Sequence, residues 1–156
     1  MVASIPEQRL WLFEQGKSSK SYVMSSSKRK PSCVEDSLGT PWGLHEVCEK
    51  IGGEAPVGMV FKGRRPTGER YWEASEQEQG KNLITSRILR LRGLESGLNA
   101  GGDRDTYARY VYVHGTNHED KLGAPASSGC LQLSNADVVE LFERVPEGCP
   151  LLILRD

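Results

Sequence analysis

The chain has 156 residues, 20 Lys and Arg against 21 Asp and Glu, a formal net charge of -1 and 37% hydrophobic residues. That length supports one ordinary core, so a single domain over residues 1–156 is expected. Balanced charge without a long basic run argues against nucleic acid held by bulk electrostatics, and no stretch approaches the roughly 20 apolar residues that span a bilayer. The start, Met1-Val2-Ala3-Ser4-Ile5, lacks the basic, apolar and small-residue plan of a secretion signal.

Taken in order, Ser4 to Glu14 has Trp11 and Phe13 on one side and Leu10 and Leu12 on the other, which suits a strand covered on both faces. Gln15-Gly16-Lys17 is a hairpin turn, with a return strand through Ser21 to Ser26. The Ser, Lys and Arg of Ser25 to Ser32 have no apolar period and predict a loop. Gly39-Thr40-Pro41-Trp42-Gly43 carries turn chemistry, and Leu44 to Ile51 alternates as a strand leading to the core. His45 falls in that strand, far in sequence from the other candidate residues, and is assigned a structural role. Lys62 to Gly80 is charged and turn-rich and reads as a long excursion that frames a groove. Ile84 to Leu94 resumes an apolar pattern in which Ile84, Leu89 and Leu91 pack while the arginines at 87, 90 and 92 are mostly solvated. Gly97 to Asp105 fits neither a calcium loop nor a phosphate loop and is a turn delivering the next strand.

Tyr110 to His114 is that strand, with Val111 and Val113 alternating against Tyr110, Tyr112 and His114, so that His114 projects from a rigid element. After Cys130, Leu131-Gln132-Leu133 is extended. Ser134 is an N-cap with Asp137 three residues on, and Val138, Leu141, Phe142 and Val145 form one helical stripe over Ala136 to Val145. Pro146-Glu147-Gly148 ends the helix, and Leu151 to Leu154 is a fully buried, centrally paired strand. The reading is a mainly β, single-domain, sandwich-like fold with one clear helix after the cysteine.

Of the four cysteines, Cys33, Cys48, Cys130 and Cys149, none forms a Cys-x-x-Cys pair, and the histidines have no zinc spacing, so no metal site is predicted. A Cys33–Cys48 disulfide is compatible with an oxidising compartment, but a domain of this size does not need one. Cys149, beside Pro150, reads as a packed thiol. Cys130 differs: it follows Ser127-Ser128-Gly129, a turn-forming run whose amides can point outward beside a thiol. His114 is the histidine placed to activate it, and a thiolate–imidazolium pair would raise the reactive fraction of a thiol whose free pKa is about 8.5.

His114-Gly115-Thr116, the loop with Leu122-Gly123-Ala124-Pro125, then Ser-x-Gly-Cys and a capped helix resemble the catalytic signature of the L,D-transpeptidases, the YkuD-like domain. Gln8 to Glu14, Gly39 to Gly43 and the closing strand extend the resemblance over essentially the whole chain. Two positions depart from the pattern: Ser128 stands where many members have histidine, and Gln132 where arginine or asparagine is common. The resemblance implies Cys130 as nucleophile, His114 as its activator oriented by the Gly115 carbonyl, and an oxyanion hole from the Ser128, Gly129 and Cys130 amides, with Ser127 and Gln132 in substrate contact. It implies a thioester formed with a peptidoglycan tetrapeptide stem, release of D-alanine and transfer to an amine acceptor, with no cofactor, in the periplasm or cell envelope, and acylation by carbapenems. The order His then Cys is opposite to that of papain-like and NlpC/P60 peptidases. Hydrolysis of the same thioester, and a peptidoglycan-binding module without chemistry, are the alternatives.

Overall fold

Alternating apolar residues and frequent turn signals make strands the dominant element, and the computed structural model describes all residues 1–156 in those terms. In chain order the strands are β1 Val2–Ser4, β2 Arg9–Glu14, β3 Lys17–Val23, β4 Gly43–Ile51, β5 Met59–Lys62 and β6 Arg65–Arg70. A short helix, α1 Glu76–Gln79, precedes β7 Ile84–Gly93, β8 Tyr112–Gly115 and β9 Leu131–Leu133. Helix α2 Asn135–Arg144 and β10 Pro150–Leu154 complete the chain. All ten strands belong to one hydrogen-bonded network in the order β3-β2-β1-β10-β4-β7-β5-β6. β7 is its branch point: β8 pairs antiparallel with β7, and β9 pairs parallel with β8.

The β2–β3 hairpin turns at Gln15 and Gly16, both at positive φ, the pattern that matches the twist of paired strands. The expected strand from Ser4 to Glu14 is in fact two. Pro6 has no N–H to give a ladder, and the Gln8 side chain donates to Ile5 O (2.6 Å) and Ser26 Oγ (2.8 Å), closing a turn between β1 and β2. Ser25, Ser26 and Ser27 open the predicted loop but are buried, and Ser27 bridges to Ser127. The excursion after Lys62 holds more structure than expected, because β5 and β6 form a hairpin and Ser75 caps α1 through its Oγ.

The main core gathers Leu10, Tyr22, Val47, Leu89, Leu131, Leu133, Leu141, Leu151 and Ile153, among others, and a second cluster holds Met59, Phe61, Ile88 and Tyr112. Helix α2 starts at its Ser134 cap, whose Oγ accepts from Asp137 N, and lays Val138, Leu141 and Phe142 on the core. β10 does sit centrally, between β1 and β4. It is not fully buried, however: Leu151 and Ile153 face the core while Leu152 and Leu154 stay more than a third exposed, the alternation of a sheet with one wet face.

The β7 arginines correct another expectation. Arg87 and Arg90 are buried, 6% and 7% exposed, and only Arg92 is solvated, paired with Glu46. Arg87 donates to Ala55 O and Ser86 O (both 2.7 Å) and lies over the Phe142 ring. Arg90 pairs with Glu49 (3.3 Å), donates to Tyr107 O (3.2 Å) and stacks 3.5 Å from the centre of the Tyr107 ring. Planar guanidinium groups tolerate this burial because each finds carbonyl or ring partners.

His45 is wholly buried, with Nδ1 donating to Gly43 O (2.9 Å) and Nε2 3.1 Å from Thr106 Oγ1, which fits the structural role. All four cysteines are free, so the Cys33–Cys48 bridge is not formed. Cys33 lies against Trp42 O, and the Cys48 thiol donates to Arg90 O (3.4 Å).

Candidate active site

β8 and β9 run parallel with His114 opposite Gln132 and Gly115 opposite Leu133, so the residue just before β9, Cys130, is carried alongside the His114 strand. The strand is shorter than predicted. Tyr110 turns at φ +55 and is half exposed, whereas Tyr112 to Gly115 are buried on both faces, because β8 is flanked by β7 and β9 and covered by core. His114 and Cys130 line one cavity of about 170 Å³ together with Asn82, Ile84, Ser127, Ser128 and Gln132. A second cavity of about 260 Å³ reaches the same thiol from the side of Glu35, Asp36, Leu38, Arg109 and Tyr110. Ser128 and Cys130 border both. A wider cavity, about 680 Å³, between residues 51–56 and the β5–β6 hairpin includes none of these residues.

His114 Nδ1 lies 2.7 Å from Gly115 O. A carbonyl only accepts, so Nδ1 carries the hydrogen and Nε2 of the neutral ring keeps a lone pair. Burial holds His114 neutral, its pKa pushed down to about 4 against a smaller opposing pull from the Gly115 carbonyl. The Cys130 thiol accepts from Tyr112 N (3.3 Å) and donates to Tyr110 O (3.7 Å). Burial raises its pKa to about 11, outweighing the Tyr112 amide and the Arg109 charge, which both favour the thiolate. Burial thus works against the charged form of both groups, while Cys130 itself stays partly exposed.

The turn before Cys130 is built by its own side chains. Ser127 Oγ donates to Cys130 O (2.6 Å) and accepts from Gly129 N (3.2 Å). This leaves Ser127, 3% exposed, as a staple of the loop, and it removes Gly129 N–H from the predicted oxyanion donors. The Ser128 and Cys130 amides donate to no protein acceptor. Gly129 sits at φ +129, a backbone shape L-residues rarely adopt, and passes within 3.5 Å of Gly39 O at its would-be Cβ. Gly115 is glycine for a different reason: a Cβ there would lie 2.6 Å from Thr85 O. Gln132 is buried and donates through Nε2 to Asn82 Oδ1 (2.8 Å), so its amide is held by another amide across the cavity.

Several residues around the thiol carry no recognisable sequence signal. Arg109 donates to Ser32 O (3.0 Å), Gly39 O (2.8 Å) and Ser37 Oγ (3.4 Å), tying the loop beneath Gly129 to the segment before β8. From the β5–β6 turn, Arg64 donates to Tyr112 OH (3.2 Å) and lies over the Tyr110 ring, so the excursion after Lys62 touches the β8 segment but lines neither cavity at Cys130. No three His, Cys, Asp or Glu side chains are grouped as a metal site. No helix is long and apolar enough to cross a membrane.

Two buried neutral histidines make stability depend on acid. His45, like His114, is lowered by burial to about 4 from 6.5. Between pH 6.5 and 4 the unfolded chain takes up protons that the native state refuses, so stability is greatest above 6.5 and falls toward 4, by about 3 kcal/mol for each histidine. Urea midpoints at pH 7 and 4.5 should show this fall, and His45→Gln should remove its share of it. A midpoint flat across that range would contradict the assignment.

The YkuD family, described as the L,D-transpeptidase catalytic domain, matches residues 1–153. A putative L,D-transpeptidase, YqjB of Bacillus subtilis (strain 168), is 40% identical over 60 residues, 38% of this chain and 32% of that protein. The probable L,D-transpeptidase ErfK/SrfK of Escherichia coli (strain K12) is 32% identical over 111 residues, 64% of this chain and 36% of the relative. The chain thus spans about a third of the length of these relatives. Among solved structures, an L,D-transpeptidase from Mycobacterium smegmatis superposes with a TM-score of 0.59 at 19% identity, covering 97% of this chain and 56% of the other. The transpeptidase LdtMt1 in complex with imipenem gives 0.58 at 20%, covering 98% and 57%. At these identities the likeness concerns the fold.

Proposed function

Because the chain belongs to the YkuD family of L,D-transpeptidase catalytic domains, we propose that it is a cysteine acyltransferase that acts on peptidoglycan stem peptides in the cell envelope. The observation that carries this reading is the cavity shared by His114 and Cys130, with the imidazole fixed by Gly115 O so that its basic nitrogen is Nε2. Residues 1–156 act as one catalytic domain, and no metal or organic cofactor takes part.

In the first half-reaction Cys130 Sγ attacks the carbonyl of the third stem residue while its proton passes to His114 Nε2. With burial favouring the neutral form of both groups, proton transfer and S–C bond formation proceed together, which makes His114 a general base in the attack. The oxygen becoming negative faces the free amides of Ser128 and Cys130, each able to contribute on the order of 3 kcal/mol. Collapse breaks the C–N bond, His114 returns the proton to the departing nitrogen, and D-alanine leaves a thioester on Cys130. In the second half-reaction an acceptor amine gives its proton to His114, attacks the thioester and expels the thiol, which recovers the proton. Two cavities that meet at Ser128 and Cys130 favour transfer over hydrolysis, since donor and acceptor can approach from different sides. Gln132 and Asn82 offer neutral amides to the donor backbone, whereas an arginine at 132 would form a charged fork with a carboxylate.

Intact-mass measurement with a tetrapeptide donor, alone and then with an amine, tests this reading. The expected result is an adduct equal to the donor minus D-alanine, discharged to an amide product when the amine is added. Discharge to the free acid alone would make the protein a hydrolase. Binding without an adduct would make it a peptidoglycan-binding module.

A further inference from the structure

Asn135 opens helix α2 directly after the Ser134 cap, a position where a side chain normally faces solvent, yet it is 5% exposed. Its amide uses all its hydrogen-bonding capacity. Thr85 Oγ1 (2.7 Å) and Ser86 Oγ (2.6 Å) donate to Oδ1, while Nδ2 donates to Thr116 O (2.9 Å) and Glu119 Oε1 (2.7 Å). The backbone N–H of Asn135 also donates to Glu119 Oε1 (2.7 Å). A carbonyl and a carboxylate only accept, so the orientation of the amide is fixed by its partners.

This network clamps the two sides of Gly115. On one side β7 carries a bulge between Thr85 and Ile88, with Ser86 at φ +65, an unfavourable backbone for serine. The Ser86 hydroxyl is engaged twice there, donating to Asn135 and accepting from Gly58 N (2.8 Å). On the other side Thr116 and Glu119 belong to the segment that leaves β8. Between them Gly115 passes so close that a Cβ would sit 3.1 Å from Asn135 Oδ1. The Gly115 carbonyl is the group that accepts from His114 Nδ1.

We propose that Asn135 is the positioning residue of the site: by pinning Thr116 O and packing against Gly115, it fixes the carbonyl that sets the tautomer and rotation of His114. This rests on the reading of His114 as the base, and it adds a buried amide that acts through the backbone and never touches substrate. A fully satisfied buried polar network holds one arrangement, and loss of any member leaves groups unpaired. Small misplacement of a base can cost about 10²-fold in rate.

The test compares wild type with Asn135→Ala and with Glu119→Ala, an exposed position that removes the outer partner without emptying the core. Three quantities are read: the His114 Nδ1–H resonance in labelled protein, the acylation rate of Cys130 at saturating imipenem, and the imipenem concentration giving half that rate. In Asn135→Ala the resonance should broaden or shift upfield, and the saturated rate should fall about 10²-fold, with half-saturation little changed. Glu119→Ala should move both in the same direction by less, and it carries the test if Asn135→Ala does not fold. Lowered thermal stability with an unchanged His114 resonance and saturated rate in the folded variants would overturn the proposal, making Asn135 a structural residue only. The resonance needs no stem peptide, so a protein inactive on peptidoglycan but showing this shift would fail the functional reading and leave this inference standing.

Discussion

Cys130→Ala is expected to eliminate covalent chemistry while leaving the fold in place. Cys130 is partly exposed and packs only against the edge of the smaller cluster, so losing one sulfur opens little space. The proposed nucleophile, however, has no substitute. Cys33, Cys48 and Cys149 line neither cavity at Ser128, so none of them shares a cavity with His114. Imipenem or a tetrapeptide donor should add one adduct to wild type, which peptide mapping places on Cys130, and none to the variant. Because burial raises the Cys130 pKa, the discriminating reagent is an acyl donor that engages the base and the free amides. A simple alkylating agent reports little more than thiolate fraction. An adduct on another cysteine, or turnover by Cys130→Ala, would sink the assignment.

The second large effect concerns the base. His114→Gln should lower the acylation rate about 10³-fold, within the range for a removed general base, whereas Ser128→Ala should retain most activity. Ser128 is exposed at the junction of the two cavities and its side chain has no partner that fixes it. The pH profile carries the same information. The neutral imidazole is the active form, and its pKa lies near 4, so acylation should persist through pH 5.5, where an ordinary histidine would be mostly protonated. It should fail only as pH drops through about 4. A larger loss in Ser128→Ala than in His114→Gln would show that a different group takes the proton, whereas a rate that halves near pH 6.5 would show an imidazole that titrates as an ordinary histidine and would overturn the burial argument.

The parts of this structure that could be read in the sequence are those where neighbours in the chain determine the outcome. The Gln15-Gly16 turn, the Ser134 cap, the α2 stripe and the His114 and Cys130 motifs all have local chemistry, and each lies where its pattern placed it. What could not be read depends on partners far away. Arg87 and Arg90 look solvated until Ala55, Phe142, Tyr107 and Glu49 arrive from other strands and loops. The run through Leu154 gave no hint that Leu152 and Leu154 face outward, since four apolar residues in a row conceal a period of two. Ser127 and Gly129 were matched to the right turn, yet the hydroxyl that occupies the Gly129 amide is visible only in three dimensions. Burial is a further effect of this kind: the sequence suggests a charged Cys–His pair, and desolvation pulls both groups toward their neutral forms.

The seat of β1 has a consequence for how the sheet closes. Val2 to Ser4 lie between β2 and β10, with Val2 opposite Leu152 and the Met1 amino group on Pro150 O. β1 is thus joined to β10 across almost the whole length of this sequence. Without β10 the β3-β2-β1 piece and the β4-to-β9 piece are joined only through the bridges from Ser25 to Gln132 and from Ser27 to Ser127, and β1 and β4 each leave a row of unpaired amides and carbonyls open. Closure across some 150 residues carries a high entropic cost and comes late, as long-range pairing generally does. The segments bearing His114 and Cys130 are joined through β8 and β9, which need nothing beyond Leu133. The two strands of the candidate site can therefore pair before the sheet is whole, and open edges in that interval are where association with other chains begins.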